Sequence, residues 1–343
     1  MKPVAFIDLF SGLGGFTTGA INAGATCILS VDSWAEANKV HLANHPKVPY
    51  KTMELGHPSH WRMFKRMVEE YKKLGYHVHI HGSPPCQALS NASSHDAEKG
   101  MPLVLWYLDL VERCEPDSWS MENVVPVRKR LPEGTPAVIL NSADFGVPQT
   151  RRRCYAGSGW YAHPTHINHK AYPYTVNKKS WVSVLDALPH IGENLLMDSG
   201  RASAPTTGVN PKTGKKEGGS GPLFRTLSEP SYTILSSPRK IMKLEALGAN
   251  ANRSRDRVIT EPSKTICGSG NQVGPRLFDH DSEKPQKVRS LTMPETLVLQ
   301  GFPADYDMSA ARTQKARWTM IGNAVPPPVA EAVIRGIHHG VHN

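Results

Sequence analysis

The sequence predicts an α/β fold, a doubly wound sheet joined to a smaller, irregular domain rich in short strands and turns. Three observations predict it. Val4 to Leu9 is an apolar, strand-like run followed by FSGLGGFTTG, whose Gly12, Gly14, Gly15 and Gly19 lead into a helical run ending near Ala23; strand, glycine-rich turn and helix open a sheet in which backbone approaches a ligand closely. Polar side chains then recur at the carboxyl ends of successive apolar strands, where open α/β sheets gather their chemistry. From about His190 to Asp281, Gly, Ser, Pro, Asn, Lys and Arg dominate and no long helical pattern is present. The expected boundaries are 1–190, completed by 306–343, for the sheet domain and 191–305 for the smaller one.

Taken in order, the glycine spacing after the first strand is not a clean G-x-G-x-x-G, and a plain tight turn explains it nearly as well as a cofactor loop. Cys27 to Val31 reads as a second strand ending in Asp32, 24 residues beyond Asp8. A carboxylate there could accept from both hydroxyls of a ribose, or cap the helix that starts near Ser33. Trp34, Phe10 and Glu54 could complete an adenosine pocket. Residues 59–74 are amphipathic at helical spacing through Trp61, Phe64, Met67, Val68 and Tyr71, the pattern of core scaffold. In the next strand His77, His79 and His81 alternate onto one face; with no acidic or cysteine partner nearby in sequence, a metal is not expected.

That strand runs into GSPPCQALS. Pro84 and Pro85 stiffen the backbone that delivers Cys86, which suits a nucleophile, although a lone cysteine at a turn is more often structural. Residues 90–100, SNASSHDAEKG, lack apolar periodicity and read as a loop that closes over substrate. A helix over Leu103–Val111 and a strand over Ser118–Met121 follow, the strand ending in Glu122 and Asn123. VPQTRRRCY places Gln149, Arg151, Arg152 and Arg153 together; in a strand Arg151 and Arg153 share a face and could clamp an anion or carbonyl, the alternative being a solvated charge run. RTLSEPSYTI, RVITEPSKTI and RSLTMPETLV start at Arg225, Arg257 and Arg289, equal intervals of 32 residues, either a repeated strand-turn unit or a coincidence of turn chemistry. The chain closes with a helical stretch through Trp318, an extended bend at three prolines after Gly322 and Asn323, an amphipathic helix and a frayed HHGVHN tail.

Composition narrows the class. The 343 residues, 39% hydrophobic, suffice for a large core, and five scattered cysteines without a C-x-x-C pair argue against disulfides or zinc and for a reducing, cytoplasmic setting. No window approaches the roughly 18 apolar residues of a membrane span, and no export segment is apparent. A net charge of +10 makes a polyanion the first partner to test.

The order of these segments resembles the DNA (cytosine-5) methyltransferases. DLFSGLGGF is similar to the family's first S-adenosylmethionine block, GSPPCQALS to its nucleophile block, MENV (121–124) to its catalytic Glu block and QTRRR (149–153) to its Gln-x-Arg-x-Arg block; RSLTMPETLVLQGFP (289–303) and GNAVPPPVA (322–330) look like the last two. The resemblance implies a Rossmann-like S-adenosylmethionine-dependent sheet with a strand-rich target-recognition domain. It implies Cys86 as nucleophile at cytosine carbon 6, Glu122 on ring nitrogen 3, and Arg153 supported by Arg151 on the carbonyl at carbon 2. Asp8, Phe10, Gly12, Gly14, Gly15, Asp32, Ser33, Glu54, Pro85, Asn323 and Ala324 are expected at S-adenosyl-L-methionine, and Gln87, Ser90, Asn91, Ser93, Asn123 and Gln149 at nucleic acid. Double-stranded DNA with a flipped base is the implied substrate, for a monomer without metal or membrane, paired or not with a separate restriction endonuclease. Glu54, Leu89 and Pro294 depart from the family's usual residues. Two alternatives are a duplex-binding relative without turnover and a nicotinamide dehydrogenase on the same sheet; the latter leaves the Cys, Glu and Arg blocks unexplained.

Overall fold

The computed structural model describes residues 2–85, 100–169, 177–191 and 287–337, and between them the strand segments 195–202, 206–209, 216–219, 222–226, 231–232 and 276–279. The first half alternates strand and helix: β1 (Val4–Leu9), α1 (Gly15–Asn22), β2 (Thr26–Asp32), α2 (Ala35–Asn44), β3 (Tyr50–Thr52), α3 (Trp61–Lys73), β4 (His77–Gly82), α4 (Met101–Cys114) and β5 (Ser118–Asn123). β6 (Ala137–Asn141), β7 (Gln149–Thr150), β8 (Arg152–Ser158), β9 (His166–Ile167), β10 (Lys179–Ser180) and the short α5 (Val184–Ala187) follow. Seven strands form one sheet in the order β3-β2-β1-β4-β5-β8-β6. β8 runs antiparallel to both neighbours, and the other pairings are parallel. Strand order reverses around β1, so the crevice at the carboxyl ends of β1 and β4 is the switch point at which such sheets bind ligands.

β1 is buried throughout, as a central parallel strand with both faces covered must be. On one face Ala5, Ile7, Leu9, Val78, Ile80 and Met121 pack under α3 and α4 through Phe64, Val68, Val104 and Leu110. On the other, Val4 and Phe6 meet Phe16 and Ala20 of α1 and Val329, Ala330, Val333 and Ile334 of α8 (Pro327–Ile337). α1 and α8 approach closely because α1 carries glycines there. A Cβ on Gly15 would lie 2.2 Å from the Val325 carbonyl, and one on Gly19 would lie 2.1 Å from the Pro327 carbonyl. Gly15, expected at the cofactor, thus has a packing reason to lack a side chain.

Between β5 and β6 the chain makes only a 3-10 turn, Val125–Arg130. The region after 191 contributes an antiparallel sheet ordered β14-β11-β16-β17, from β11 (Leu195–Ala202), β14 (Pro222–Thr226), β16 (Arg276–Asp279) and β17 (Lys287–Ser290). β12 (Thr206–Val209) pairs with β13 (Lys216–Gly219), and β15 (Ser231–Tyr232) pairs in parallel with β7. Helices α6 (Met293–Gln300) and α7 (Gln314–Asn323) complete the elements.

Two sequence expectations change. The 32-residue echo is not one structural unit: the copy at Arg225 passes from β14 to β15, whereas the copy at Arg289 turns from β17 into α6; the copy at Arg257 lies outside the described residues. The physical difference is a capping box, Thr292 with Glu295, which starts a helix where the first copy has Ser228 and Ser231; the proline is common to both copies, as Pro230 and Pro294. The proline bend is also shorter than expected, because Pro327 and Pro328 form the first turn of α8, where a missing N–H costs nothing. The HHGVHN tail lies outside the described residues.

Gly19→Ala tests the α1–α8 packing. Alanine gains about 1 kcal/mol of helix propensity, but its methyl would collide with backbone, and overpacking costs about 1–3 kcal/mol. Net destabilisation in urea unfolding is expected; a more stable variant would refute the close approach.

Candidate active site

At the switch point β1 runs into a loop in which Phe10 and Gly12 adopt positive φ, +58° and +52°. A Cβ on Gly12 would meet nothing within 4 Å, so this glycine serves backbone conformation and leaves open space above it. Asp32 anchors the loop from the end of β2: Oδ2 accepts from the Gly12 N–H at 2.8 Å and Oδ1 from the Trp34 N–H at 2.7 Å. Burial raises the Asp32 pKa, and these N–H groups oppose that rise. Each oxygen retains acceptor capacity for a hydroxyl, so loop anchoring and ribose binding are compatible. Asn38, unremarked in the sequence, donates to the Asp32 carbonyl at 3.1 Å and to Thr52 at 3.2 Å. Phe10 is half-buried, edge-on to Trp106, while Ser33, Glu54 and Asn323 are exposed. The Gln300 side chain holds the Ala324 carbonyl at 2.9 Å. Open space over Gly12, the spare acceptors of Asp32 and the exposed rim fit a nucleoside-bearing cofactor.

Cys86, Gln87, Ser90, Asn91 and Ser93 lie outside the described residues. The backbone that leads to them is held from two sides. Ser83 N–H donates to the Leu9 carbonyl at 3.1 Å and its hydroxyl to the Phe10 carbonyl at 3.0 Å, joining this segment to the glycine loop. Asn123 Nδ2 donates to the Pro84 carbonyl at 3.1 Å, and Pro85 is exposed. Gly82 is required beneath: a Cβ there would lie 2.3 Å from the Tyr107 ring. Tyr107 in turn donates to the Ile80 and Ser120 carbonyls.

Glu122 ends β5 pointing at the two arginines that the sequence put on one face. Its Oε1 lies 3.2 Å from Arg153 Nε and 4.0 Å from an Arg151 terminal nitrogen. Arg151 is buried and also donates to the Gly322 carbonyl at 3.0 Å. Arg153 keeps some exposure and donates to the Arg152 carbonyl at 2.9 Å. Arg153 is therefore placed to meet a substrate and Arg151 to hold the carboxylate and the α7 terminus. Two residues expected at nucleic acid turn inward. Asn123 is buried and spends its side chain on Pro84, and Gln149 is fully buried, donating to the Leu299 carbonyl at 3.0 Å and to Gln300 Oε1 at 2.8 Å. Both organise the site's framework.

Beneath the site the three histidines do share a face, and they alternate with serines of β5. His77, Ser118, His79, Ser120 and His81 form an unbroken chain of hydrogen bonds at 2.8–2.9 Å. Burial lowers His79 to about 3 and His81 well below its usual range, so both are neutral rings. Asp8 sits beside His81 in register. It is fully buried and accepts from the Thr17 hydroxyl at 2.7 Å, and burial raises its pKa to about 7. Such a carboxyl is interior, joined to α1 through Thr17.

Nearly the whole chain matches the family model for C-5 cytosine-specific DNA methylases, over residues 4–131 and 134–339. The chain belongs to this family. The type II methyltransferase M.MthTI of Methanothermobacter thermautotrophicus is 28% identical over 96% of both chains. M.HgiCII of Herpetosiphon aurantiacus is 31% identical over 97% of this chain and 96% of its own. Among solved structures the S. pombe Dnmt2 methyltransferase shares the fold, with a TM-score of 0.53, 16% identity and 99% coverage of each chain. A C-5 cytosine methylase is a DNA-modifying enzyme, and no described helix here is long and apolar enough to cross a membrane.

The raised Asp8 gives a pH test. Unfolded, this carboxyl titrates near 3.8; folded, near 7. Because the folded state binds the proton more tightly, Asp8 contributes stability that is complete below the unfolded value and lost as pH rises through the folded one. Asp8→Asn should therefore gain stability relative to the parent between about pH 4 and pH 8, by a few kcal/mol at about 1.4 kcal/mol per unit. Parallel urea-unfolding profiles for the two proteins across that range would refute it.

Proposed function

We propose that this chain transfers the methyl group of S-adenosylmethionine to carbon 5 of a cytosine flipped out of a specific duplex DNA sequence, after Cys86 adds to carbon 6. The observation that carries the proposal is the convergence at one sheet edge of buried Glu122, its partners Arg153 and Arg151, and the Asn123–Pro84 bond that fixes the backbone two residues before Cys86.

Carbon 5 of cytosine is too electron-poor to accept a methyl group unaided. Attack of the Cys86 thiolate on carbon 6 makes the ring an enamine. Glu122 relays a proton taken up from solvent to ring nitrogen 3, and Arg153 holds the carbonyl oxygen at carbon 2, where negative charge gathers. Asp32, Gly12, Phe10, Trp34 and Ala324 would hold the cofactor, with Glu54 and Asn323 at its rim. The cofactor supplies an electrophilic methyl group. Once carbon 5 is methylated, its proton passes to solvent water, the C–S bond breaks to release the thiolate, and Glu122 recovers the proton from nitrogen 3. A stacked base cannot reach these groups, so it must leave the helix at a cost of about a few kcal/mol. Residues 88–100 are assigned to close over it and the strand-rich region to read its surroundings in the grooves. On this reading the chain works as a cytoplasmic monomer, alongside a restriction endonuclease or as an orphan or phage enzyme; the relatives' names, type II methyltransferases, support the DNA-modifying part of it.

Cys86→Ala should abolish both methyl incorporation and the covalent adduct with duplex containing 5-fluorocytosine, with cofactor binding retained. An adduct that persists without the thiol would sink the mechanism. Glu122→Gln should lower kcat about 10²- to 10⁴-fold, measured by transfer of labelled methyl to DNA.

A further inference from the structure

Beyond the carboxyl end of β5, a turn that ends in three cations packs against β8, the strand that Arg152 opens, and among the described residues none of the four has a carboxylate partner. Arg128, Lys129 and Arg130 end the 3-10 turn that leaves β5, Arg152 opens β8, and all four are exposed. The turn is anchored: Val127 is fully buried, its N–H bonds the Val124 carbonyl at 3.0 Å, and Pro126 restricts the backbone. Arg128 lies close enough to β8 for its charge to act on Cys154, two residues from Arg152. Lys65, Lys72, Arg113 and Arg335 pair with Glu115, Asp117, Asp109 and Glu331, while other exposed cations such as Lys2, Arg66 and Lys73 also lack a carboxylate partner among the described residues but are scattered. What distinguishes Arg128, Lys129 and Arg130 is that they are consecutive on one anchored turn. Among the described residues no carboxylate pairs with the four edge cations, and Glu122, the acid of the same edge, is taken by Arg151 and Arg153. An unmatched cluster of like charge repels itself, and a polyanion relieves that repulsion while its own counterions are released.

The place of the cluster selects which polyanion. The turn starts two residues after Asn123, and the Arg152 carbonyl is the acceptor for Arg153, the cation beside Glu122. The cluster therefore flanks the groups assigned to the flipped base. A duplex offers one phosphate charge per roughly 1.7 Å of axis, and guanidinium groups bind phosphate by paired hydrogen bonds. We propose that Arg128, Lys129, Arg130 and Arg152 form a phosphate clamp that grips the DNA backbone beside the target base; this rests on the methyltransferase reading. No long crossover helix covers this flank, because the link from β5 to β6 carries only the short turn.

The test compares the parent with R128Q/K129Q/R130Q and with K2Q/R66Q/K73Q, a control that removes equal charge from exposed positions away from this edge. Binding of a short random-sequence duplex is followed by fluorescence anisotropy between about 50 and 200 mM salt, where the slope of log K against log salt should fall by about 2.7 in the clamp variant, near 0.9 for each phosphate no longer neutralised. Arg152→Gln should remove about 0.9 more. The control should stay within about half a unit of the parent; a clamp variant indistinguishable from the control overturns the proposal. At saturating duplex containing 5-fluorocytosine the clamp variant should still form the covalent adduct. An adduct missing only in that variant overturns the clamp, since the turn would then organise the catalytic groups. Absence of adduct in the parent would count against the methyltransferase reading, while the salt slopes still decide whether these cations grip DNA.

Discussion

Glu122 is a carboxylate out of solvent, and a buried charge persists only where opposite charge and hydrogen bonds compensate it. Its compensation comes from Arg153 and Arg151, and Arg151 also reaches the Gly322 carbonyl where α7 ends. Two residues before Arg151, Gln149 bonds Leu299 and Gln300 at the end of α6, and Gln300 in turn holds the Ala324 carbonyl. One polar network thus binds β5, β7, β8, α6 and the end of α7, segments far apart in the chain. Removing one partner of such a buried pair costs about 3–5 kcal/mol. The same residues therefore serve stability and placement of the reactive groups.

A second constraint places the cofactor loop. α1 can lie against α8 only because Gly15 and Gly19 leave room for the Val325 and Pro327 carbonyls, and α1 also carries Thr17, which bonds Asp8 beneath the loop. Asp32 then fixes Gly12 from above the end of β2. The chain's last helix consequently shapes its first loop, and the Ser83 bonds extend that order to the backbone approaching Cys86. The His–Ser ladder beside Asp8 is polar where a parallel sheet is ordinarily aliphatic. Every serine in it bridges two rings, and that satisfaction is what makes its burial tolerable.

Local patterns were readable where a single period or a single residue decides the outcome. The apolar runs at Val4–Leu9 and Thr26–Asp32, the amphipathic stretch of α3 and the shared face of Arg151 and Arg153 follow from backbone periodicity. Less readable were the antiparallel turn of β8 between β5 and β6, and the helix α6 hidden in a sequence echo that starts as a strand. There a capping box outweighed the likeness of the surrounding residues. The internal partners of Asn123 and Gln149 were unreadable for a different reason: an amide can bond a base edge or a carbonyl equally well, and composition does not say which one it meets.

By itself, the sequence determined the strand and helix alternation of its first half, the glycine-rich opening loop and the set of reactive residue types, because each depends on neighbours within a few positions. It also carried the family's ordered blocks. Tertiary structure alone decided that Gly15 is a packing residue, that Asn123 braces the loop to Cys86 and that Gln149 is interior. It also decided that the turn carrying Arg128, Lys129 and Arg130 packs against β8, which Arg152 opens, with no carboxylate partner among the described residues. Each of these turns on what lies across the fold, and the desolvation and pairing of a polar group are properties of that surrounding.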